Sequence, residues 1–422
     1  MKTIILTGII IRILIAILYQ HITMYPDSAD YINLAERILK LDFAGYGGER
    51  SPGYPLLLAA TNVSYLFTVI LQSALGIASL ILTYKMALIV GINKKTSLFI
   101  SLGLSCYIPI VFFEFAILSE TLTLFIVTAI FYLYFLILSE TKRDIYSRLL
   151  IIACGFLILI KPFYIFLPIL LFILLFFNRI PKREVLFKYI YIVIIPIALF
   201  FGWSYVNKIN TGYFTSTTFY GFNLAQNCVS FAEKTTPQYA EIGQIYAKYR
   251  DEINSGKEIA MTIWEAEPEL RDKTGLSFPD LSAKLYDYSL ATIKENPTDY
   301  LKQVFVSWCD FWKTSLYREY NSVAIPYAND VILYVCYVER IVLQLIKILF
   351  ILIIPYNIVR TVREKKLSPP FIISIVVFTA SILQALITYG TNSRFSFPFE
   401  ILIVLSVVAN WIGLVKRKRS LS

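Results

Sequence analysis

The chain has 422 residues, of which 57% are hydrophobic and 16% aromatic. A soluble globular domain is usually about 45–50% apolar, so this composition predicts an integral membrane protein and excludes an ordinary soluble one. The net charge of +10 does not indicate nucleic-acid binding. The excess of Lys and Arg lies in short loops between apolar runs, whereas the long hydrophilic segment 207–330 is net acidic.

The apolar runs predict an all-α polytopic fold with about ten transmembrane helices. In chain order these are residues 3–20, 64–90, 97–111, 116–138, 148–160, 163–177, 187–206, 331–356, 370–388 and 398–415. Two pairs, 97–111 with 116–138 and 148–160 with 163–177, are short enough that each could be one bent helix.

Basic residues favour ten separate spans. With ten, every cluster of Lys and Arg falls on the same side, and merging either short pair alone moves the later clusters across. The clusters are Lys94 and Lys95; Lys142, Arg143 and Arg148; Arg179, Lys182, Arg183 and Lys188; Arg360, Arg363, Lys365 and Lys366; and Lys416 to Arg419. The positive-inside rule then predicts that both termini are cytoplasmic.

Two hydrophilic segments, 21–62 and 207–330, are predicted to lie outside. In the first, apolar residues at Ile32, Ala35, Ile38 and Leu39 have helical spacing, which predicts a helix on the membrane surface. The second is long enough for a small, mostly helical subdomain. We therefore expect an N-terminal membrane module (1–206), an extracytoplasmic subdomain (207–330) and C-terminal membrane helices (331–422).

Cysteine and histidine usage limits the chemistry. None of the five cysteines forms a CxxC motif, and although Cys228 and Cys309 could pair in an oxidising compartment, free thiols are the default expectation. The single histidine, His21, excludes an HExxH motif and any site built from several histidines.

Charged residues gather at the predicted outer ends of the helices. They are Asp27, Asp30, Arg50, Glu114, Glu120, Lys161 and Arg394. Charges close to the hydrocarbon are costly, so they tend to face a cavity and mark function.

Each of these residues also has a purely structural interpretation. Asp27 could be a helix N-cap residue, with Asp30 three residues further on completing a capping box. Glu120 could lie at the start of a helix, where the helix dipole stabilises a carboxylate. Arg50 could bind lipid headgroups, and Lys161 and Arg394 could snorkel to the surface. Glu339 and Arg340, inside a predicted span, favour an inter-helix polar contact over chemistry.

The set as a whole suits a substrate that carries a phosphate and a hydroxyl to be activated. A carboxylate can accept the hydroxyl proton, and cations can stabilise a leaving phosphate. The sequence contains no Walker A loop, no GxGxxG and no DxD. A donor carried by the membrane therefore fits better than a cytoplasmic nucleotide.

Six motifs in order resemble the bacterial branch of the GT-C superfamily, the polytopic glycosyltransferases that use polyprenyl-phosphate sugars and include protein O-mannosyltransferases and aminoarabinose transferases. They are YPDSADYINLAERIL, RSPGYPLLLA, ILSETLTLF, LILIKPF, NKINTGYFTSTTFYGFNLAQN and NSRFSFPFEIL. The resemblance implies a GT-C-like fold in the bacterial inner (plasma) membrane, with the active site facing the periplasm.

The resemblance also implies roles for individual residues. Asp27 matches the catalytic base of the first loop, and Asp30 would be a secondary catalytic carboxylate that orients the acceptor or substitutes as the base. The positions expected near the donor phosphate are Arg50, Lys161 and Arg394. The positions expected to orient the sugar or a cation are Glu120, Tyr31 and Tyr54.

The implied reaction is an inverting transfer of a hexosyl or pentosyl group to a glycan, lipid or protein acceptor, with release of polyprenyl phosphate. Some family members need a divalent cation, which Asp27 and Glu120 could hold. Where the family often has Asp-Glu, this chain has Asp27 followed by Ser28, so the metal question stays open.

Two other functions remain open from the sequence. A non-enzymatic transporter or flippase of lipid-linked saccharides would also need a charged cavity among helices. A polysaccharide polymerase or ligase would use a pyrophosphate-linked donor.

Overall fold

The structure is a computed structural model that describes residues 1–139, 143–178, 180–253, 258–314, 323, 325, 327–390 and 392–419. Two of the basic residues used for the topology, Lys142 and Arg179, lie outside these ranges. Across the described part the chain is helical and forms no β-strand. One isolated bridge joins Thr23 to Ala116.

The described residues form twenty α-helices. The first eleven are α1 (Lys2–Tyr19), α2 (Pro26–Lys40), α3 (Gly53–Ala60), α4 (Tyr65–Ile89), α5 (Lys94–Ser105), α6 (Ile108–Glu114), α7 (Glu120–Ser139), α8 (Arg143–Ile160), α9 (Phe166–Leu175), α10 (Lys182–Glu184) and α11 (Tyr191–Thr211). The others are α12 (Tyr220–Gln226), α13 (Ala240–Asp251), α14 (Thr262–Thr274), α15 (Phe278–Glu295), α16 (Pro297–Phe311), α17 (Ala328–Glu364), α18 (Pro369–Ile387), α19 (Ser393–Ser396) and α20 (Glu400–Arg419).

Helical structure coincides with each of the ten predicted spans. Among the described residues, seven helices are long and apolar enough to cross a membrane, or eight if the bent pair α5 and α6 counts as one span. The seven are α1, α4, α7, residues Lys182–Thr211, α17, α18 and residues Ser393–Lys416. The fold is therefore that of an all-α, multi-pass membrane protein, and the exact number of ten spans stays a prediction.

Prolines account for two breaks, one inside the predicted span 97–111 and one between the predicted spans 148–160 and 163–177. Pro109 stands at the second position of α6, where its ring would clash with the carbonyl of Ser105 if α5 continued, and the axes of α5 and α6 differ by 56°. Pro162 likewise ends α8 at Ile160 and leaves Lys161 extended. Neither short pair forms a single continuous helix, because α6 ends at Glu114 before α7 begins at Glu120, and α8 ends at Ile160 before α9 begins at Phe166.

Helix α7 lies at the centre of the membrane bundle. In its apolar window 78% of the residues are buried, against 28% in α1 and in α17, and it packs against α4 and α8. Helix α3 approaches the end of α8 so closely that a Cβ on Gly53 would lie 2.5 Å from the backbone nitrogen of Ile160. This contact places α3 beside the turn that carries Lys161.

A second hydrophobic core, which we call the small core, forms within the segment predicted to be a helical subdomain. Its residues come from α12 to α15 and the chain between them, and include Phe222, Tyr246, Leu270 and Leu285. Cys228 is buried here, and Cys228 and Cys309 are both free thiols. The boundaries of the subdomain stay a prediction.

Helix α2 is amphipathic, as its spacing predicted, but its buried face differs from the predicted one. The structure buries Ser28, Tyr31, Leu34 and Ala35, and leaves Leu39 47% exposed. Of the predicted apolar positions, Ala35 alone belongs to the buried set. Contacts with other parts of the chain, described below, set this face.

Candidate active site

Asp27 lies in the first turn of α2 and does not cap it. Pro26 occupies the first helical position, where its fixed φ favours helix initiation. Ser28 supplies the capping contact, because its Oγ accepts a hydrogen bond of 2.9 Å from the backbone N–H of Tyr25. The interpretation of Asp27 as the N-cap residue is therefore wrong, and its carboxylate is available for other partners.

Backbone pairing places this turn beside the start of α7. Thr23 donates from its backbone N–H to Phe115 at 2.9 Å and accepts from Ile117 at 3.1 Å. The Ser28 hydroxyl also donates to the carbonyl of Ile117, at 2.8 Å. These contacts bring Asp27 close to the loop that leads into Glu120.

Arg50 joins the two aspartates of α2. Its Nη2 donates to Asp27 Oδ1 at 2.9 Å and to Asp30 Oδ2 at 3.0 Å, and its Nε donates to Asp30 Oδ2 at 3.2 Å. The Tyr46 hydroxyl fixes the Arg50 backbone, accepting from its N–H at 2.6 Å and donating to its carbonyl at 2.7 Å. The predicted first-loop residues therefore form one ion-paired group.

Arg394 links this group to the central helix. It donates from Nη1 to Asp27 Oδ2 at 3.0 Å, and from Nε and Nη2 to Glu120 Oε1 at 2.9 and 2.7 Å. Lys161 Nζ donates to the same oxygen of Glu120, at 3.1 Å. Six of the seven predicted charged residues thus meet in one cluster, to which five separate parts of the chain contribute.

Glu114 is the predicted member that lies elsewhere. Its carboxylate is fully buried and pairs with Arg12 of α1. Gly76 makes room for it, because a Cβ there would lie 1.8 Å from Glu114 Oε1. From the predicted topology, Glu114 was expected at the outer surface with the other charged residues. Arg12, which lies inside the first span, instead holds Glu114 within the bundle.

The two tyrosines predicted for sugar or cation orientation occupy different places. Tyr31 lies in the cluster, with its ring centroid 4.9 Å from the Arg50 guanidinium carbon. Tyr54 is fully buried behind it, in an edge-to-face contact with Tyr31, and its hydroxyl donates to Gln72 at 3.0 Å. A direct sugar contact by either residue stays a prediction.

The two aspartates differ in their electrostatics. Burial pushes the pKa of Asp27 upward, but Arg394 and Arg50 outweigh burial and hold that pKa well below its ordinary value. Burial raises the pKa of Asp30, and Arg50 alone does not compensate for it. In this state Asp27 is therefore the firmly ionised carboxylate of the pair.

A divalent cation does not fit the cluster well. The two proposed ligands, Asp27 and Glu120, are bridged by the guanidinium of Arg394. The described residues contain no group of three or more His, Cys, Asp or Glu side chains that could hold a metal ion. The steps proposed below therefore use the side chains of this chain alone.

Sequence reasoning missed residues that hold the cluster in place. Ser28, Tyr46 and Gln72 make the hydrogen bonds described above, and the ring of Phe219 lies 4.5 Å from the Arg50 guanidinium carbon. The motif around Phe219 was singled out only for its resemblance. The predicted inter-helix contact of Glu339 is confirmed, because its carboxylate accepts a hydrogen bond from the backbone N–H of Ile108 at 3.0 Å. Its neighbour Arg340 is exposed.

No family model matches the chain, and neither does any curated protein. Two solved structures are similar to it, each at 9% identity. One is the archaeal oligosaccharyltransferase AglB from Archaeoglobus fulgidus in complex with an inhibitory peptide and a dolichol-phosphate, with a TM-score of 0.47. The other is an A. fulgidus oligosaccharyltransferase tethered to an acceptor peptide, with a TM-score of 0.49. Each match covers 99% of this chain and 51% of the archaeal chain, so this chain spans about half the length of those proteins.

Proposed function

We propose that the chain is an integral-membrane glycosyltransferase that moves a hexosyl or pentosyl group from a polyprenyl-phosphate donor to an acceptor hydroxyl. The observation that carries the proposal is the position of Arg394, which joins the candidate base Asp27 to the Glu120–Lys161 pair. A base and three cations within one cluster are what a phosphate leaving group and a hydroxyl nucleophile require. The ordered motifs of the sequence support the same reaction.

Arg50, Lys161 and Arg394 would bind the donor phosphate. Guanidinium and ammonium groups make strong charge-assisted hydrogen bonds to phosphate oxygens. A phosphate that binds Arg50 and Arg394 competes with Asp27 for the same N–H donors. Donor binding would thus release the Asp27 carboxylate and let its pKa rise towards the ordinary value.

The released carboxylate of Asp27 would act as the general base. The acceptor oxygen attacks the anomeric carbon while its proton passes to Asp27, and the bond from that carbon to the phosphate oxygen breaks with its electron pair staying on the phosphate. The three cations stabilise the charge that develops there. Configuration inverts because the attack and the departure take place on opposite faces of the sugar.

The test is Asp27→Asn in the full-length protein, purified and reconstituted with lipid-linked sugar donors. We expect loss of transfer by a factor of at least about 100, as is common when a general base is removed, with retained membrane insertion and retained binding of polyprenyl phosphate. Unchanged turnover in this variant would refute the assignment of the base.

The donor would be presented at the extracytoplasmic side of a bacterial inner membrane, with both termini in the cytoplasm. This placement rests on the basic clusters of the short loops. The acceptor class, whether glycan, lipid or protein, would be read from the product of the same reconstituted reaction.

A transporter of lipid-linked saccharides is the second candidate. Among the described residues, two further buried ion pairs, Arg12–Glu114 and Lys347–Glu400, lie among the helices. Intramembrane charges of this kind also mark transport pathways. Translocation of the lipid-linked sugar without formation of a transfer product would favour this candidate.

A further inference from the structure

The guanidinium of Arg50 lies against two aromatic rings. Its central carbon is 4.9 Å from the centroid of the Tyr31 ring and 4.5 Å from that of Phe219. Tyr31 belongs to α2, beside the aspartates, whereas Phe219 comes from the segment that leads into the small core. Cations are attracted to aromatic faces at this separation.

Hydrogen bonds attach the segment of Phe219 to the loop of Arg50. The backbone N–H and the hydroxyl of Thr218 donate to the carbonyls of Gly48 and Gly47 at 2.9 and 2.8 Å. The Thr217 hydroxyl donates to the carbonyl of Glu49 at 2.7 Å. Phe219 is therefore held in register with Arg50 by the residues immediately before each of them.

A series of rings connects Phe219 to the small core. Its ring makes edge contacts with Trp264 at 5.1 Å and with Phe278 at 5.6 Å. Both of these stack on the fully buried Phe222, at 4.5 and 4.9 Å. Phe219 is thus the ring through which the small core contacts the charged cluster.

The ring contacts and the hydrogen bonds of Arg50 use different parts of the guanidinium. Asp27 and Asp30 accept from its N–H groups, which lie in the plane, and an incoming phosphate would take over some of those donors. The rings attract the positive charge of Arg50 through their faces, and the hydrogen bonds described for Arg50 go to the carboxylates. Contact with Phe219 can therefore persist while Arg50 changes its anionic partner.

We propose that Phe219 is a positioning residue that holds the Arg50 guanidinium in place to receive the phosphate of a polyprenyl-phosphate ligand. The inference rests on the phosphate-binding role proposed above for Arg50. A long arginine side chain that is already immobilised loses less conformational freedom when it binds an anion. Residues of the small core would then influence phosphate affinity through this one ring.

The test is the binding of undecaprenyl phosphate to the full-length protein in lipid nanodiscs, with undecaprenol as the uncharged control. We expect Phe219→Leu to weaken binding of undecaprenyl phosphate about 5-fold, the size of a partly desolvated cation–π contact. Phe219→Tyr, which keeps the aromatic face, should retain wild-type binding. Binding of undecaprenol should be the same in all variants.

A double-mutant cycle with Arg50→Ala separates positioning from a general effect on folding. If Phe219 acts through Arg50, adding Phe219→Leu to Arg50→Ala causes no further loss of binding. The matched control is Phe214→Leu, which removes a ring that is 52% exposed and stacks on Phe201, and which should leave binding unchanged.

Two results would overturn the inference about Phe219: equal binding in the Leu and Tyr variants, or the same loss from Phe219→Leu with and without Arg50. A different result would overturn the phosphate site itself, namely wild-type binding of undecaprenyl phosphate by Arg50→Ala. The two failures are therefore distinguishable. If Phe219→Leu does not purify, Phe219→Met gives the same non-aromatic comparison.

Discussion

At the scale of single residues, Asp27 and Asp30 show how neighbours decide what a carboxylate does. They lie three residues apart on the same helix, and both contact Arg50. Asp27 has a second arginine, Arg394, and its side chain is 27% exposed, against 36% for that of Asp30. The additional guanidinium helps to hold the pKa of Asp27 down, whereas burial and the neighbouring charge of Asp27 raise the pKa of Asp30.

The opposite pKa shifts predict opposite effects of removing each charge. The folded protein lowers the pKa of Asp27, so its carboxylate stabilises the fold above the unfolded-state pKa of about 3.9. That contribution is lost as the pH falls further. At neutral pH Asp27→Asn should lower the melting temperature, and the difference from wild type should shrink below about pH 4.

The sign is reversed for Asp30, because the folded protein raises its pKa. Its ionised form opposes folding above the folded-state pKa, and this cost disappears in acid. Asp30→Asn should therefore melt no lower than wild type at neutral pH. Thermal unfolding of both variants in detergent between about pH 2 and 8 covers both sides of the ordinary Asp pKa, and the same sign in both variants at neutral pH would contradict the assignment.

At the scale of elements, a buried polar network fixes the loop that precedes Arg394. The Ser307 hydroxyl of α16 donates to the carbonyl of Thr388 at 2.7 Å, and the Asn392 amide donates to the carbonyl of Ser307 at 2.9 Å. The Thr388 hydroxyl donates to the Gln226 side chain of α12, also at 2.7 Å. The network connects the end of α18 to helices α12 and α16. It therefore fixes Asn392, two residues before Arg394.

Removing the hydroxyl of Ser307 should destabilise the protein and weaken the site together. Ser307→Ala removes two buried inter-helix hydrogen bonds, to the carbonyl of Thr388 and from the amide of Asn392. Each is worth roughly 0.5–1.5 kcal/mol, and we expect a lower melting temperature with reduced binding of undecaprenyl phosphate. The matched control is Ser289→Ala. Ser289 is equally buried, but its hydroxyl bonds only within its own helix, to Leu285.

If Ser307→Ala and Ser289→Ala lower the melting temperature equally, the inter-helix hydrogen bonds of Ser307 contribute no more to stability than a bond within one helix. If Ser307→Ala destabilises without any loss of phosphate binding, the loop does not set the position of Arg394. Measuring both quantities on the same preparation separates the two results.

At the scale of the whole molecule, the charge pattern predicts the orientation across the membrane, with segment 207–330 outside and both termini in the cytoplasm. In a cysteine-free variant, Glu252→Cys places a thiol at an exposed position beside the small core, and Lys366→Cys places one in the loop between α17 and α18. A membrane-impermeant maleimide added to intact cells should label the first position and not the second. Both should be labelled after permeabilisation, and protection of Glu252→Cys in intact cells would reverse the proposed topology.

The sequence is sufficient to predict most of the helical framework, because a chain inside hydrocarbon must satisfy its backbone internally and prolines mark the breaks. Convergence of the charged residues was predictable for a related reason, since isolated charges at a membrane surface are costly. Arg50, Lys161 and Arg394 were accordingly predicted from the sequence to lie near Asp27.

Contacts between distant parts of the chain were not predictable in the same way. The pairing of Glu114 with Arg12 joins residues 102 positions apart, and no local pattern marks it. The buried face of α2 depends on the bond from Ser28 to the Ile117 carbonyl, which apolar spacing does not reveal. Phe219 belongs to a segment with many aromatic residues, and only the fold shows which ring reaches Arg50.

The bond between Arg394 and Asp27 has a consequence for biosynthesis. The two residues are separated by 367 positions, so the ribosome must extend the chain by that many residues beyond Asp27 before its second partner exists. Until then Asp27 has Arg50 as a partner, and Glu120 has Lys161. The site is therefore complete only once α19 has been synthesised, and a nascent chain that stops before α19 carries a first loop but no finished charge network.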